Sequence, residues 1–178
     1  MRSNRARIVT LGHSTRTLAE LLDLLKGNGI QMVVDVRKLR GSRAFPHFDE
    51  LRLRASLGRA GISYLALPEL AGRQPKAERP MERPCWRNAG FRNYADHMRT
   101  AEFRAGIRKL LAAARGRSVA LLCAEALPWR CHRGLVADHL VVERHRRVDD
   151  LIGERRQPHR LTACARVARS RLSYQLPP

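Results

Sequence analysis

"RIVTLGHSTRTLAELLDLLKGNGIQMVVDVR", residues 7 to 37, is the stretch whose reading decides the fold. It opens on a β-rich apolar run, Arg7 to Leu11, that ends in Gly12-His13-Ser14. Thr17 and Glu20 then have the spacing of a helix capping box. Leu18, Leu21, Leu22 and Leu25 recur at i, i+3, i+4 and i+7, which makes one stripe of a helix apolar. Gly27 and Gly29 stop that helix. Ile30 to Arg37 is a second apolar strand with a polar end. Strand, amphipathic helix and strand in succession form a right-handed βαβ unit and predict a parallel sheet.

The pattern repeats outward from there. Asp49 is a candidate N-cap for a helix through Leu53, Leu57 and Ala60, closed by Gly61, and Ile62 to Leu67 is a third strand. Residues 68–90 are rich in Pro, Gly and Arg, lack periodicity, and read as an irregular binding loop or lid. Phe103, Ile107, Leu110, Leu111 and Ala114 mark a further helix, Ser118 to Cys123 a fourth strand, and His132 to Glu143 another helix. Val148 to Ile152 is a candidate fifth strand, and the basic tail is expected to hold one short helix near Thr162 to Ser170. The expectation is one α/β domain over residues 1–178, with a mostly parallel sheet of four to five strands and helices on both faces. No internal repeat and no second domain are visible.

Composition narrows the function classes. No run of ~18 uncharged apolar residues exists, so no membrane helix is expected, and the N-terminus has no apolar core of a signal peptide. The expected compartment is the cytoplasm, where the four cysteines, Cys85, Cys123, Cys131 and Cys164, would be free thiols, catalytic groups or ligands. The 35 Lys and Arg against 16 Asp and Glu give a net charge of +19, spread along the chain. Such a charge favours a polyanionic partner, a nucleotide or a nucleic acid. The alternative is a generic basic surface, since an Arg- and Ala-rich composition also follows from coding bias. The sequence names no cofactor and gives no oligomeric state.

In open parallel sheets, ligands sit beyond the carboxyl ends of the strands. Each strand here hands polar residues to that edge: His13 and Ser14 from the first, Asp35 and Arg37 from the second, Glu69 after the third. The fourth delivers Cys123 and Glu125, then Arg130, Cys131, His132 and Arg133. Asp35 and Arg37 share a strand face, either as an ion pair holding the strand end or as an orienting acid beside an anion-binding cation. The loop Leu39-Arg-Gly-Ser42-Arg43 offers amides and a guanidinium for phosphate. His47 and Phe48 either stack on a base or pack the loop.

"LCAEALPWRCHRG", residues 122 to 134, carries the chemistry. Cys123 leaves a buried strand, and Cys131 stands where a helix begins. Helix amides, Arg130 and Arg133 there favour a thiolate. The Cys123-to-Arg130 interval is one residue longer than the phosphatase Cys-x5-Arg, and Glu125 is ill suited to a phosphate cradle. Cys123, Cys131, His132 and His13 are all zinc-type ligands, yet their local spacing matches no zinc motif. A transient Cys123–Cys131 disulfide, a merely buried Cys123, and an Arg133 salt bridge to Glu125 or Asp138 stay open.

These blocks together resemble domain-of-unknown-function family 488 of bacteria and archaea. Residues 10–49 are similar to its Gly-His-Ser, Asp-Val-Arg and Ser-Arg-x-x-Pro-x-Phe signature, and "GISYLALPELAGR" to its third strand and Leu-Gly-Gly, with Ala71 where glycine is usual. "GFRNYADHM" resembles its Phe-x-x-Tyr-Ala-x-x-Met helix, "ALLCAEALPWRCHRGLVADHL" its Cys-x-Glu…Cys-His-Arg block, and "PHRLT" its closing His-x-Leu-Thr. The resemblance covers residues 7–165 and leaves 166–178 as a basic tail. Leu-Arg-Gly replaces a proline before Ser42-Arg43, and "ERHRRVDDLIGE" replaces a more apolar fifth strand. The resemblance implies one α/β domain and no settled activity. Carried over residue by residue, it selects His13, Ser14, Asp35, Arg37, Ser42, Arg43, Phe48, Tyr94, Cys123, Glu125, Cys131, His132 and Arg133. The expected reading is a strand-end pocket for an anionic ligand. Cys123, Glu125, Cys131, His132 and Asp35 are its chemical groups. His13, Ser14, Arg37, Ser42, Arg43, Tyr94, Arg130 and Arg133 are its ligand contacts. The alternatives are a non-catalytic nucleic-acid-binding module and a structural zinc protein.

Overall fold

The computed structural model describes residues 7–41 and 43–177. Ser42, one of the expected site residues, lies outside them. Strands β1 (Ile8–Gly12), β2 (Met32–Asp35), β3 (Ser63–Ala66), β4 (Val119–Cys123) and β5 (Val148–Ile152) are parallel, and β6 (Arg155–Pro158) adds an antiparallel edge. The sheet order is β3-β2-β4-β1-β5-β6. Helices α1 (Leu18–Gly27), α2 (Glu50–Arg59), α3 (Ala89–His97), α4 (Ala101–Ala113) and α5 (His132–Val142) cover both faces.

Alternation along the strands divides the core in two. On β4, Val119, Leu121 and Cys123 face α3, α4 and α5, whereas Ala120 and Leu122 face α1 and α2. The opposite face is closed by Leu21 and Leu25 of α1 and Leu53 and Leu57 of α2, each fully buried. Each such leucine contributes ~1.5–3 kcal/mol of transfer free energy. The capping box at α1 forms as its sequence predicts: the Thr17 hydroxyl accepts from Glu20 N–H, and the Glu20 carboxylate accepts from Thr17 N–H. Gly61 and Gly116 take left-handed φ values of 74° and 69° just beyond their helices, a conformation other residues adopt at a cost.

The β1-α1-β2-α2-β3 path winds to one side of β4, and β4-α5-β5 winds to the other. The sheet therefore reverses direction beside β4, and the segments leaving β2 and β4 part to opposite faces. A crevice opens there by topology alone.

The C-terminal region departs from the sequence reading. The expected helix near Thr162 to Ser170 is a hairpin of β7 (Arg166–Ala168) and β8 (Arg171–Ser173). Arg169 and Ser170 between them both take left-handed φ, 49° and 61°, which suits the tight turn that matches strand twist. Cys85 and Cys164 are bonded to each other, which corrects the expectation of four free cysteines. The segment 83–85 runs beside 174–176, with Cys85 N–H donating to Tyr174 O at 2.9 Å. Cys123 and Cys131 are free and buried.

A buried polar network fixes this region to α5. The His159 imidazole bonds Asp138 at 2.9 Å and Asp150 at 2.8 Å. Thr162 and Tyr174 hydroxyls donate to Asp138, and Thr10 donates to Asp150. Burial alone would lower the His159 pKa, but the hydrogen bonds its ring donates to both carboxylates hold it at about 9. His159 and Thr162 of "PHRLT" therefore have a structural role. Among the described residues, no helix is long and apolar enough to cross a membrane.

Candidate functional site

A cleft of about 400 Å³ lies at the carboxyl ends of β2 and β4. Its floor is Cys123, Cys131 and His132, and its sides are Tyr94 and Phe91 of α3 and the Ala124-Glu125 turn. Lys38, Arg73 and Arg130 stand on the rim with exposed side chains.

Glycines shape the floor. A methyl group on Gly12 would overlap the Glu125 carbonyl oxygen, so only glycine lets the 124–127 turn close over the end of β1. A Cβ on Gly134 would lie 2.6 Å from Pro128 O, so α5 docks against the 3₁₀ turn Pro128–Arg130 through bare backbone. That docking puts Cys131 at the N-cap of α5. A Cβ on Gly72 would lie 2.6 Å from the His132 Nδ1. The imidazole is also fixed from the far side, where Nε2 lies 3.0 Å from Val36 O. A carbonyl only accepts, so Nε2 carries a proton, and in the neutral ring Nδ1 presents a lone pair. Nδ1 lies 3.6 Å from Cys131 Sγ, and the ring packs on Tyr94.

The two free cysteines are held in unlike environments. The Cys131 thiol is pushed below the ordinary range by the hydrogen bond from Cys123, and by the charge and N–H groups of Arg133, against the opposing effect of burial. The same hydrogen bond, with burial, pushes Cys123 up.

Behind the floor the cations are committed to the scaffold. Arg133 is fully buried and donates to the carbonyls of Glu125 and Ala126, not to the carboxylates of Glu125 or Asp138. Among the described residues its Nε has no hydrogen-bond partner. Arg37 donates to Asp35 at 2.7 Å and to Phe48 O at 2.9 Å, and lies 3.4 Å from the His13 Nε2. The ion-pair reading of Asp35 and Arg37 is the geometry found, and the Tyr64 hydroxyl donates to the same carboxylate. The His13 Nδ1 bonds Ser14 O, and burial lowers its pKa to about 4, so the ring is neutral and accepts from Arg37. Phe48 packs against His13 and does not line the cleft.

The residues selected by sequence therefore form two layers. Tyr94, Cys123, Glu125, Arg130, Cys131 and His132 line the cleft, with Arg37 at its edge. His13, Asp35 and Arg133 are buried behind it, and Ser14 N–H donates to Ala124 O. Arg43 is exposed on its loop and does not line the cleft. Glu69 is also elsewhere: its carboxylate pairs with Lys109. Sequence reasoning missed Lys38, Arg73, Asn88 and Phe91 as lining residues. Arg73 closes the "GISYLALPELAGR" block and sits at φ 55°, a left-handed backbone rare for arginine, and this block was the signal available.

Among the described residues, one group of donors can hold a metal ion. Ligand atoms of Cys123, Cys131 and His132 lie within 4.8 Å of one another, a soft set of the kind zinc accepts. His13 is not part of it. Nothing among curated proteins or solved structures matches the chain. The family described as Domain of unknown function DUF488 matches residues 17–140, which include β2, β4, all but the last two residues of α5, and the whole cleft floor. On a match over most of its length, the chain belongs to the DUF488 family.

Proposed function

We propose that the cleft binds a phosphate-containing anion, a nucleotide or a nucleic-acid end, and that Cys131 acts on it as a thiolate nucleophile. The observation that carries this reading is a convergence. The Cys131 sulfur, with His132 Nδ1 3.6 Å away, lies at the floor of a cleft rimmed by Lys38, Arg73 and Arg130. A helix N-terminus beside the thiol favours its charged form, and His132 is placed to exchange its proton. Phe91, backed by Trp86 at 4.7 Å between ring centroids, offers an apolar plane to a base. Glu125 stands within the same cleft as a second proton-exchanging group.

The test is calorimetric titration with nucleoside phosphates and 5′-phosphorylated oligonucleotides, followed by assay of ligand turnover. Arg73→Ala with Arg130→Ala is expected to weaken binding by about 1–3 kcal/mol, the loss of charge-assisted hydrogen bonds. Cys131→Ser is expected to keep binding and lose turnover. The net charge of +19 favours a second reading, a non-catalytic nucleic-acid-binding module. That reading wins if affinity falls steeply with salt and Cys131→Ser changes nothing.

A further inference from the structure

We propose that Cys123 is the resolving thiol of Cys131, so that the cleft reduces an anionic disulfide through an internal Cys123–Cys131 disulfide. This rests on the reading of Cys131 as the reactive thiol.

Geometry comes first. Cys123 ends β4 and Cys131 begins α5, and the turn between them folds back so that both sulfurs reach one cleft floor within 4.8 Å. Three independent features hold the turn in that shape. Gly12 admits the Glu125 carbonyl, Gly134 admits the Pro128 carbonyl, and the buried Arg133 clamps the carbonyls of Glu125 and Ala126. Each acts on the backbone between the cysteines, so their joint effect is to keep two thiols adjacent. A small apolar residue would fill either position with less constraint on the turn.

The surroundings give the two sulfurs different roles. Cys131 stands at the N-cap of α5 with the His132 Nδ1 3.6 Å from its sulfur, and this position makes it the attacking sulfur. Cys123 ends β4 on the same floor, its sulfur within 4.8 Å of both the Cys131 sulfur and the His132 ring nitrogen, and is the thiol held in reserve. Cys85 and Cys164 are already bonded to each other and take no part.

The steps balance. The Cys131 thiolate attacks one sulfur of a disulfide RSSR, whose S–S bond breaks; one RS⁻ leaves and Cys131 carries a mixed disulfide. Cys123 then gives its proton to the His132 Nδ1, and its sulfur attacks the Cys131 sulfur. The mixed disulfide breaks, the second RS⁻ leaves, and the internal disulfide forms. RSSR is reduced to two thiols, and the cysteine pair is oxidised by two electrons. The cations on the rim select an R group bearing carboxylate or phosphate.

The experiment uses the full chain with its Cys85–Cys164 bond intact, exposed to oxidised glutathione as the anionic disulfide and to 2-hydroxyethyl disulfide as a neutral one. Released thiol is counted, and the protein is alkylated, digested and mapped by mass spectrometry. The expected wild-type product is a Cys123–Cys131 cross-link with two thiols released per chain. Cys123→Ser should stop at a Cys131–glutathione adduct with one thiol released, and the anionic disulfide should react about tenfold or more faster than the neutral one. The wild-type map needs no variant, so it decides even if Cys123→Ser folds poorly. An adduct on wild-type Cys131 that never resolves overturns the role of Cys123 and leaves the reactive thiol standing. A Cys131 inert to both disulfides and to iodoacetamide overturns the reactive thiol and this proposal together. So does a metal ion that co-purifies on the pair and is lost in Cys123→Ser.

Discussion

The carbonyl oxygen of Glu125 occupies the space that a side chain on Gly12 would need. The end of β1 and the turn after β4 are therefore packed backbone to backbone. Gly12→Ala is expected to force the 124–127 turn away and to cost ~1–3 kcal/mol, as overpacking does in tight interiors. Urea unfolding measures the loss. The same variant should label Cys123 more readily with iodoacetamide than the wild type does, because the turn no longer covers it. Unchanged stability and unchanged labelling would show that the turn relaxes freely.

The two free thiols should differ in reactivity. Cys131 is held below the ordinary thiol range and Cys123 above it. Iodoacetamide is expected to modify Cys131 first, with a rate that persists as pH falls below ~8.5, the usual thiol midpoint. His132→Ala and Gly72→Ala, which removes or displaces the ring, should each slow that modification near neutral pH. Equal labelling of both cysteines, or a midpoint at or above the usual one, would refute the assignment.

The His159 network makes stability depend on pH in a set direction. Its folded pKa, about 9, lies above the ordinary 6.5. A raised pKa means that the folded state holds the proton more tightly. The contribution is full below pH 6.5 and is lost as pH rises towards 9. His159→Gln leaves Asp138 and Asp150 without their counter-charge and is expected to cost ~3–5 kcal/mol. Urea midpoints measured between pH 6 and 9.5 should fall for the wild type and lose this slope in the variant. A parallel slope in both would mean that another group carries it.

The Cys85–Cys164 bond closes a span of 79 residues. By loop-closure entropy, removing it should cost up to ~4 kcal/mol. Cys85→Ala with Cys164→Ala is expected to lower the thermal midpoint and to loosen the 83–88 segment, whose Trp86 backs the Phe91 wall of the cleft. Hydrogen exchange at Cys85 N–H, now bonded to Tyr174 O, reads that loosening directly.

The sheet was legible where apolar periodicity was strong. Val148–Ile152 was expected as a strand despite its two aspartates, and it forms. β6 was not legible, because Arg155, Arg156 and Gln157 lie exposed on an edge and carry no alternation. The hairpin after it was missed for a related reason: its register is set by a turn and by the clasp to residues 83–85, and not by a buried face. Cys123, Cys131 and His132 all lie at the strand-end edge that the rule points to, and they line one cleft. What residue type concealed was orientation. Arg37 and Arg133 have the chemistry of anion binders, yet they turn inward to Asp35 and to backbone carbonyls. The exposed Arg73 and Lys38, unremarkable in sequence, stand on the rim instead. The disulfide was unreadable because no spacing rule links positions that far apart.

Asp138, near the end of the matched segment 17–140, is bonded to His159, Thr162 and Tyr174, all beyond it. At the other end, β1 lies before residue 17 and pairs with both β4 and β5. The stretch that identifies the family is thus not a unit that can be excised. Cut at those limits, the chain would bury an unpartnered carboxylate in α5 and open the sheet through its middle. Such a segment cannot be exchanged between proteins as an autonomous module. Fusions and truncations that respect the fold must keep the whole span from Ile8 to Tyr174.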